Sequence, residues 1–419
     1  MKKQSAFFLS IMVLTGGHAT GQELKFSGSI KNFSTMFLLT EPEKSSEVPR
    51  RPPLGLSNTR LRLCLNYAPQ DMLSFSIAYD IAPRIQDPFF FNSSPFPASQ
   101  NPKGYRVTDF GSLLVPGENS PTGSFGLYHN LDRLFVNLKM KFGDLTIGRQ
   151  PVAWGNGRIT NPTDVIAPFP FHELDKEDRY GVDAVRLRVP LSTLSELDVG
   201  YVFGKKSRID RSAFFLRTKV HVLKTDIALL LLGFQEDILL GIDLTRSVGQ
   251  ASVWLESAYV LPGALNHNRP IAKNYSRITA GVSRSLGPRL QGFMEYHFNS
   301  AGASRSSDYV GLSVQPAYAR GTGYLLGRHY LSAGMTWQVL PLIPFTGLVI
   351  WNVGDGSLSL SPQTEYNLAE NIYLAAGAHL GLGRHPDAPL FTGLDIPSNL
   401  RSEFGGYPNF AFLSLRFYF

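Results

Sequence analysis

The sequence predicts an all-β fold, a transmembrane antiparallel up-and-down β-barrel of about 18 strands with short periplasmic turns and long extracellular loops. Three observations predict it. Apolar and polar residues alternate in segment after segment. Tight turns and long polar links alternate along the chain. No stretch of 18 or more consecutive apolar residues occurs, which excludes a membrane protein built from helices.

Composition agrees with strands, turns and an apolar outer surface. The chain has 39 Gly, 29 Phe and 17 Tyr, and only 17% of its residues are charged. Without Lys2 and Lys3, 38 basic residues stand against 33 acidic ones, a balance of +5 that argues against a nucleic-acid partner. The single cysteine, Cys64, excludes an intramolecular disulfide.

Residues 1–21 have the features of a secretory signal peptide. Lys2 and Lys3 precede a short apolar run over 6–14, which is too short to span a bilayer as a helix. The triplet 19–21 fits a small-x-small cleavage site, with 17–19 as the alternative. We expect the barrel to occupy 22–419, beginning near Gln22.

Each predicted strand places one kind of side chain on each face. Leu61, Leu63 and Leu65 point one way, whereas Arg62 and Cys64 point the other. The segments with this pattern are 24–39, 58–68, 71–80, 131–141, 143–150, 181–189, 194–203, 211–221, 223–234, 238–246, 250–260, 275–286, 289–299, 327–339, 342–352, 357–366, 371–380 and 408–419. Most reach the roughly 9 to 11 residues that a tilted strand needs to cross a membrane.

The connections have two lengths. Short turns, as at Pro69-Gln70 and Leu340-Pro341, separate longer links at 40–57, 81–130, 151–180, 261–274, 300–326 and 381–407. An even strand count places both termini on the periplasmic side. A sheet can span hydrocarbon only without edges, because each unpaired backbone group costs several kcal/mol there. The alternative is a soluble all-β protein, which also alternates.

The last strand carries a family resemblance. Phe419, Phe417 and Leu415 share one face, and this segment resembles the terminal strand of outer-membrane barrel proteins. The resemblance implies that the barrel assembly machinery reads Phe419, that lipid and lipopolysaccharide of the bacterial outer membrane surround the barrel, and that the architecture is an 18-stranded porin with inward-folded loops. It leaves a monomer and a homotrimer open.

The loop 151–180 is the first candidate site. It follows Gly148-Arg149-Gln150 and contains Trp154-Gly155, Asn161-Pro162-Thr163-Asp164 and an acidic run that includes Glu173 and Asp175. These elements are similar to those of porin-like barrels of uncertain substrate, alginate-export-like proteins among them. We expect Arg149, Trp154, Asp164, Glu173 and Asp175 to form a constriction. The alternative is a surface loop pinned by its own turns and ion pairs.

The second candidate site is a basic lumen face. Alternation places acids at Glu196, Asp198, Asp243, Glu256 and Glu295, but more basic residues, so the lumen is expected to be net positive and to attract anions. The basic residues expected to line the pore are Arg60, Arg62, Arg133, Arg186, Arg188, Arg217, Lys219 and Arg277. The alternative is that these charges only keep the lumen wet and pair with loop acids.

The function expected is passive diffusion of small anionic or polar solutes, with no enzymatic activity and no cofactor. The nine histidines have no metal-ligand spacing, and neither a nucleophile elbow nor a phosphate-binding glycine loop occurs. Three alternatives remain open: an export channel for an anionic polymer, an outer-membrane hydrolase that assembles Ser, His and Asp from separate strands, and a purely adhesive or structural barrel.

Overall fold

The structure is a computed structural model that describes residues 23–41, 52–92, 102–109, 112–116, 123–266, 273–320, 323–387 and 400–419. The expected signal peptide, 1–21, lies outside these residues. No helix in the described part of the chain is long and apolar enough to cross a membrane.

Nineteen antiparallel strands form one sheet, and eighteen of them make a closed barrel. The strands are β1 (Glu23–Leu38), β2 (Leu54–Gln70), β3 (Leu73–Gln86), β4 (Leu113–Val115), β5 (Phe125–Met140), β6 (Gly143–Pro151), β7 (Gly181–Ser192), β8 (Ser195–Val202), β9 (Ala213–Val222), β10 (Thr225–Phe234), β11 (Asp237–Val248), β12 (Ala251–Leu261), β13 (Tyr275–Ser285), β14 (Leu290–Asn299), β15 (His329–Leu340), β16 (Ile343–Asn352), β17 (Leu358–Ala369), β18 (Ile372–Leu382) and β19 (Asn409–Tyr418). Pairing of β1 with β19 closes the barrel.

All eighteen predicted strands are confirmed, and closure rules out an open sheet or sandwich. The additional strand, β4, lies in the predicted link 81–130 and pairs with β5. Strands β2 and β5 begin four and six residues earlier than predicted, at Leu54 and Phe125. Turn-type residues such as Gly55 and Ser57 conceal the alternation before the predicted start of β2, yet the backbone of that stretch pairs with β1.

The remaining regular elements of the described residues are short helical turns in the loops. They are Phe89–Asn92, Pro102–Tyr105, Lys205–Ser207, Ile209–Arg211, Ser306–Val314, Pro316–Ala319 and Phe404–Gly406. All lie on the side of the barrel that carries the long connections.

The two faces of the wall differ as predicted. On β14, Met294 faces outward and is 62% exposed, whereas the flanking Glu295 is only 2% exposed inside the barrel. The interior is packed by chain that folds inward. Trp154, Val165 and Ile166 of the loop after β6 pack with wall residues such as Val182 and Phe215.

One irregularity changes which residues face inward. Between Ala78 paired with Arg133 and Tyr79 paired with Leu131, β5 contains one extra residue, Asp132. This β-bulge lets neighbouring residues share a face. Asp132 and Arg133 are consequently both inside the barrel, where strict alternation had placed Arg133 alone.

Candidate functional site: a loop across the barrel interior

The loop between β6 and β7, residues 152–180 and hereafter the crossing loop, passes through the barrel interior. Its first half, 152–163, is held by carboxylates of the wall. Glu256 of β12 accepts hydrogen bonds from the backbone N–H groups of Asn156 (3.1 Å), Gly157 (3.3 Å) and Thr163 (2.8 Å), and from the Thr163 hydroxyl (2.7 Å). The wall thus supplies the acceptors that this irregular backbone lacks.

A second carboxylate repeats this arrangement. Glu295 of β14 accepts from the backbone N–H groups of Arg158 (2.6 Å), Ile159 (3.1 Å) and Thr160 (3.2 Å) and from Trp254 Nε1 (3.2 Å). Glu256 and Glu295 are almost fully buried. Four bonds on each buried carboxylate offset its loss of hydration, so this half of the loop is fixed.

Side chains add three further anchors. Asn156 Nδ2 donates to Asp243 of β11 (2.7 and 2.8 Å), and Trp154 Nε1 donates to Asp198 of β8 (3.4 Å). Arg277 of β13 donates to the Pro162 carbonyl. The four anchoring acids Asp198, Asp243, Glu256 and Glu295 are residues that alternation predicted on the lumen face. Their partnership with the loop backbone was not predicted.

The backbone conformation after Trp154 in this half of the loop requires glycine at position 155. Gly155 has φ +109°, and a Cβ there would lie 2.4 Å from the Asn161 side chain. Only glycine adopts this conformation without strain. The turn presents Trp154 to Phe215, whose ring centroid is 4.7 Å away, so Trp154 is a packing residue of the loop against β9.

The middle of the loop crosses to the other wall. Asp164 pairs with Arg179 of the same loop at 2.8 Å, and burial, only partly offset by Arg179, raises the pKa of Asp164 to about 6. Phe171 packs against Phe404 and Tyr407 of the β18–β19 connection. Asp164 was expected at a constriction; it lies instead in a contact internal to the crossing loop.

The acidic segment of the loop, 173–178, meets cations on β1, β2 and β19. Lys31 contacts Glu177 (2.5 Å) and Asp175 (3.2 Å), and Arg60 contacts Asp175 (2.7 Å) and Asp178 (3.1 Å). Glu177 also accepts from Arg416 at 2.8 Å and from the Tyr418 hydroxyl at 2.7 Å. The loop therefore spans the barrel between two walls of opposite charge.

Burial and these partners shift the pKa values of this segment in different directions. Burial raises the pKa of Glu177, but the hydrogen bonds from Lys31 and Tyr418 outweigh it and the pKa is lowered. Burial raises the pKa of Glu173 and lowers that of His172 to about 3. His172 is therefore neutral at physiological pH.

On the wall beside the acidic segment, Arg62 of β2 pairs with Asp80 of β3 (3.0 Å) and with Asp132 of β5 (2.8 Å). All three side chains are buried. Asp80 and Asp132 were absent from the predicted site. Asp80 ends a predicted strand in the inward register and could have been found, whereas Asp132 is brought inward only by the bulge.

A cavity of about 610 Å³ lies between the crossing loop and the wall of β1, β2, β3 and β5. Its charged lining residues are Arg60, Arg62 and Arg84 against Asp80, Asp132, Glu173, Asp175 and Asp178. Arg84 donates to Asn58 at 2.9 Å and stacks 4.1 Å from the centre of the Tyr128 ring. Among the described residues, neither Arg84 nor Glu173 has a group of opposite charge within ion-pairing distance.

The other predicted basic residues divide into two groups. Arg133 contacts Asp132, Arg186 contacts Asp198 at 2.7 Å, and Lys219 contacts Asp226 at 3.6 Å. Arg188 and Arg217 have no carboxylate within ion-pairing distance in the part of the chain that the structure describes. They lie on β7 and β9, away from the cavity.

Arg149 was predicted to line the pore, but it does not face the lumen. It lies on the same, outward face of β6 as Ile147. Strand β6 ends at Pro151, so the extracellular end of β5 is not paired with it. Residues 106–109 cover this position. Arg149 binds Asp183 (2.8 Å) and the Thr108 and Leu131 carbonyls (2.8 and 2.9 Å), so it joins parts of the wall.

A further polar network holds the other long loops. Glu403 accepts from Asn352 Nδ2 (2.8 Å), from the Leu326 N–H (3.0 Å) and, in a very short bond, from the Tyr330 hydroxyl. Burial raises the pKa of Glu403 to about 8. No group of histidine, cysteine or acidic residues in the described ranges is arranged to hold a metal ion.

Solved structures match this architecture over nearly the whole chain. OccAB2 of Acinetobacter baumannii has a TM-score of 0.56 at 10% identity, covering 94% of this chain and 98% of its own. OprD of Pseudomonas aeruginosa has 0.54 at 8%, with coverages of 94% and 95%. OccK2 (OpdF) of Pseudomonas aeruginosa, solved in complex with glucuronate, has 0.55 at 10%, with coverages of 94% and 98%.

The fold is that of an 18-stranded porin. No protein-family model matches the sequence, and no curated protein matches it. At these identities the likeness concerns the fold. Within the porin barrel of this chain, solute binding and selectivity have to be argued from its own residues.

Proposed function

We propose that this chain is a porin of the bacterial outer membrane that lets small polar solutes diffuse passively. The observation that carries the proposal is the crossing loop, which narrows a closed barrel to a charged cavity against β1, β2, β3 and β5. A wide barrel would pass solutes without preference, whereas a fixed loop sets the size and polarity of what passes. No energy source is needed.

The path proposed runs from the long loops into the cavity and past the acidic segment 173–178 to the opposite mouth. Arg84 and Glu173 are the cavity groups best placed to contact a solute, because both point into it without an ion-pair partner of opposite charge in the described chain. Arg60 and Arg62 are already neutralised by loop and wall carboxylates. They position the loop and line the path.

The basic lumen face predicted a preference for anions, and we propose that this preference comes from two arginines and not from the cavity. The cavity lining has more carboxyl groups than guanidinium groups, so it does not favour anions by net charge. Arg188 and Arg217 lack carboxylate partners in the described residues, and we assign to them any preference for anionic solutes. Arg186, paired with Asp198, contributes less.

The membrane context follows from the same proposal. The chain would enter the secretory path through segment 1–21, be assembled through its last strand ending at Phe419, and contact outer-membrane lipid and lipopolysaccharide on its apolar outer face. The solute is the only small molecule that function requires. Neither a cofactor nor a nucleic-acid partner enters the proposal.

The export and hydrolase alternatives are less well supported. Export of an anionic polymer would require displacing the crossing loop, which seven hydrogen bonds to Glu256 and Glu295 hold in the interior. A hydrolase would need an activated nucleophile. The described cavity lining has Ser112 and His129, but the His129 backbone N–H donates to the Ser112 carbonyl (2.9 Å) and His129 Nδ1 contacts the Tyr79 hydroxyl (2.5 Å), which is not the arrangement of a nucleophile and its base.

Planar-bilayer recording of the purified protein tests the proposal. We expect open channels, and we expect the double variant Arg188→Ala/Arg217→Ala to reduce anion over cation permeability, because it removes two unpaired cations. Arg208→Ala, in an exposed loop pair with Asp210, is the matched control and should leave selectivity unchanged. Liposome swelling with glucose and glucuronate gives a second readout. Absence of any conductance would refute the channel.

A further inference from the structure

A polar island lies on the outer face of the barrel. On β1 the side chains of Lys31 and Phe33 point inward, so Asn32 and Ser34 point to the membrane. Asn32 Nδ2 donates to Ser57 Oγ (3.1 Å) and to Thr59 Oγ1 (2.8 Å) on β2. Ser34 Oγ donates to Asn32 Oδ1 (3.0 Å) and contacts Ser57 Oγ at 3.0 Å.

Apolar side chains surround this island on every side. Ile30 lies on its periplasmic side and Met36 on its extracellular side along β1, while Leu413 and Leu415 face outward on the neighbouring β19. Ile85 flanks Ser57 on β3 and is 67% exposed. The island is therefore inside the apolar belt and not at a polar rim, and polar groups at that depth normally have a partner or a function.

An external groove of about 700 Å³ adjoins the island. Its outward lining includes Ser34, Gly55, Ser57 and Ala411, and its borders are formed by larger side chains, Met36, Ile85 and Leu413. A Cβ at Gly55 would meet no atom within 4 Å, so glycine is not required there by the barrel's own packing. Small residues beside polar ones are the composition of protein contacts inside membranes.

We propose that this patch, Asn32, Ser34, Gly55, Ser57, Thr59 and Ala411 with its bordering ridge of Met36, Ile85 and Leu413, is where a second copy of the chain docks. The patch has both a groove and ridges, so under a twofold axis the ridge of each copy meets the groove of the other. Its polar side chains are uncharged and each serves as donor and acceptor, so two copies meet without charge repulsion and can exchange hydrogen bonds.

Lipopolysaccharide fits the patch less well. Phosphate groups are bound by Arg and Lys side chains, and the groove has no basic residue in the described lining, whereas the carboxyl residue Asp87 stands at its border. The proposal rests on the membrane location proposed above and not on which solute is transported.

Cross-linking in native membranes tests the contact. In a Cys64→Ser background, Ser57→Cys should yield a cross-linked species of twice the monomer mass with a short bismaleimide. The matched control is Ser257→Cys, since Ser257 faces outward on β12, across the barrel from β2. The control should remain monomeric under the same conditions.

Filling the groove gives an independent test. Ser57→Leu should lower the association constant by about tenfold or more, because an extra side chain must be accommodated in a packed contact. Ser257→Leu should leave the dimer mass, measured by native mass spectrometry, unchanged. Both variants should keep the wild-type conductance, which separates this test from that of the channel. The proposal would be overturned if native mass spectrometry showed the wild type to be a monomer or a trimer. It would also be overturned if the wild type carried a bound lipid that Ser57→Leu lacks.

Discussion

The two halves of the crossing loop are held in opposite ways. In the first half, 152–163, wall carboxylates accept hydrogen bonds from loop backbone N–H groups, and the anchoring acids are buried. In the acidic segment, 173–178, the loop supplies the carboxylates and the wall supplies the cations, with Glu177 41% exposed in its side chain. One contact set depends on hydrogen bonds to buried carboxylates, and the other on ion pairs in which the acids are 14 to 41% exposed around the buried Lys31.

This difference predicts different sensitivities. Removing a buried carboxylate that accepts four hydrogen bonds leaves four donors without their acceptor, so the substitution strongly lowers the free energy of unfolding. Exposed or half-exposed ion pairs contribute about 0 to 1 kcal/mol and depend on salt and pH. We therefore expect the first half to determine whether the loop stays inside the barrel, and the second half to adjust the solute path.

The largest effect is expected for Glu295→Ala. It removes the acceptor of three backbone N–H groups and of Trp254 Nε1, so the free energy of unfolding should fall by about 3 kcal/mol or more. Single-channel conductance should rise as the loop moves. Urea unfolding from vesicles and bilayer recording measure the two effects.

Glu295→Gln is the matched control for this substitution. It retains an acceptor oxygen and similar volume, so it should lose less stability and keep a conductance near wild type. If Glu295→Ala unfolded and conducted like the wild type, the wall carboxylates would not be the anchors of the first half.

A smaller effect is expected for Asp175→Asn/Asp178→Asn. This variant releases Arg60 and weakens the contacts of Lys31. Anion over cation permeability should rise by up to about fivefold, the factor that corresponds to about 1 kcal/mol, with little change in stability. Reversal potentials in a salt gradient measure it, with Asp210→Asn as a control in an exposed loop pair. An unchanged ratio would place the solute path elsewhere.

The smallest effect is expected from acid. The contacts that lower the pKa of Glu177 stabilise the loop fully above its ordinary value of 4.5, and this stabilisation is lost as the pH falls through the lowered pKa. Current fluctuations should therefore increase below about pH 4.5. The Glu177→Gln variant should show the increased current fluctuations at every pH. Wild-type current fluctuations that are equal at pH 3 and pH 7 would contradict this assignment.

How much of the site could be predicted depends on the kind of contact. The lumen register of Arg60, Arg62, Glu256 and Glu295 follows from alternation, since a strand has period two. Asp132 could not be placed, because a bulge breaks that period and leaves no signal that alternation detects. Arg149 was misplaced because it was assigned with the loop that follows β6, whereas the period of the strand gives it the outward register of Ile147, where residues 106–109 cover it.

The sequence by itself determined the eighteen strands, their order and their two faces, because alternation and turn residues are local properties of the chain. Only the tertiary structure decided which charges meet. Glu256 and Asn156, or Lys31 and Glu177, are separated by about a hundred residues or more, and closing the barrel brings them together. The same closure pairs the arginines with carboxylates and turns an apparently basic lumen into a largely neutralised one.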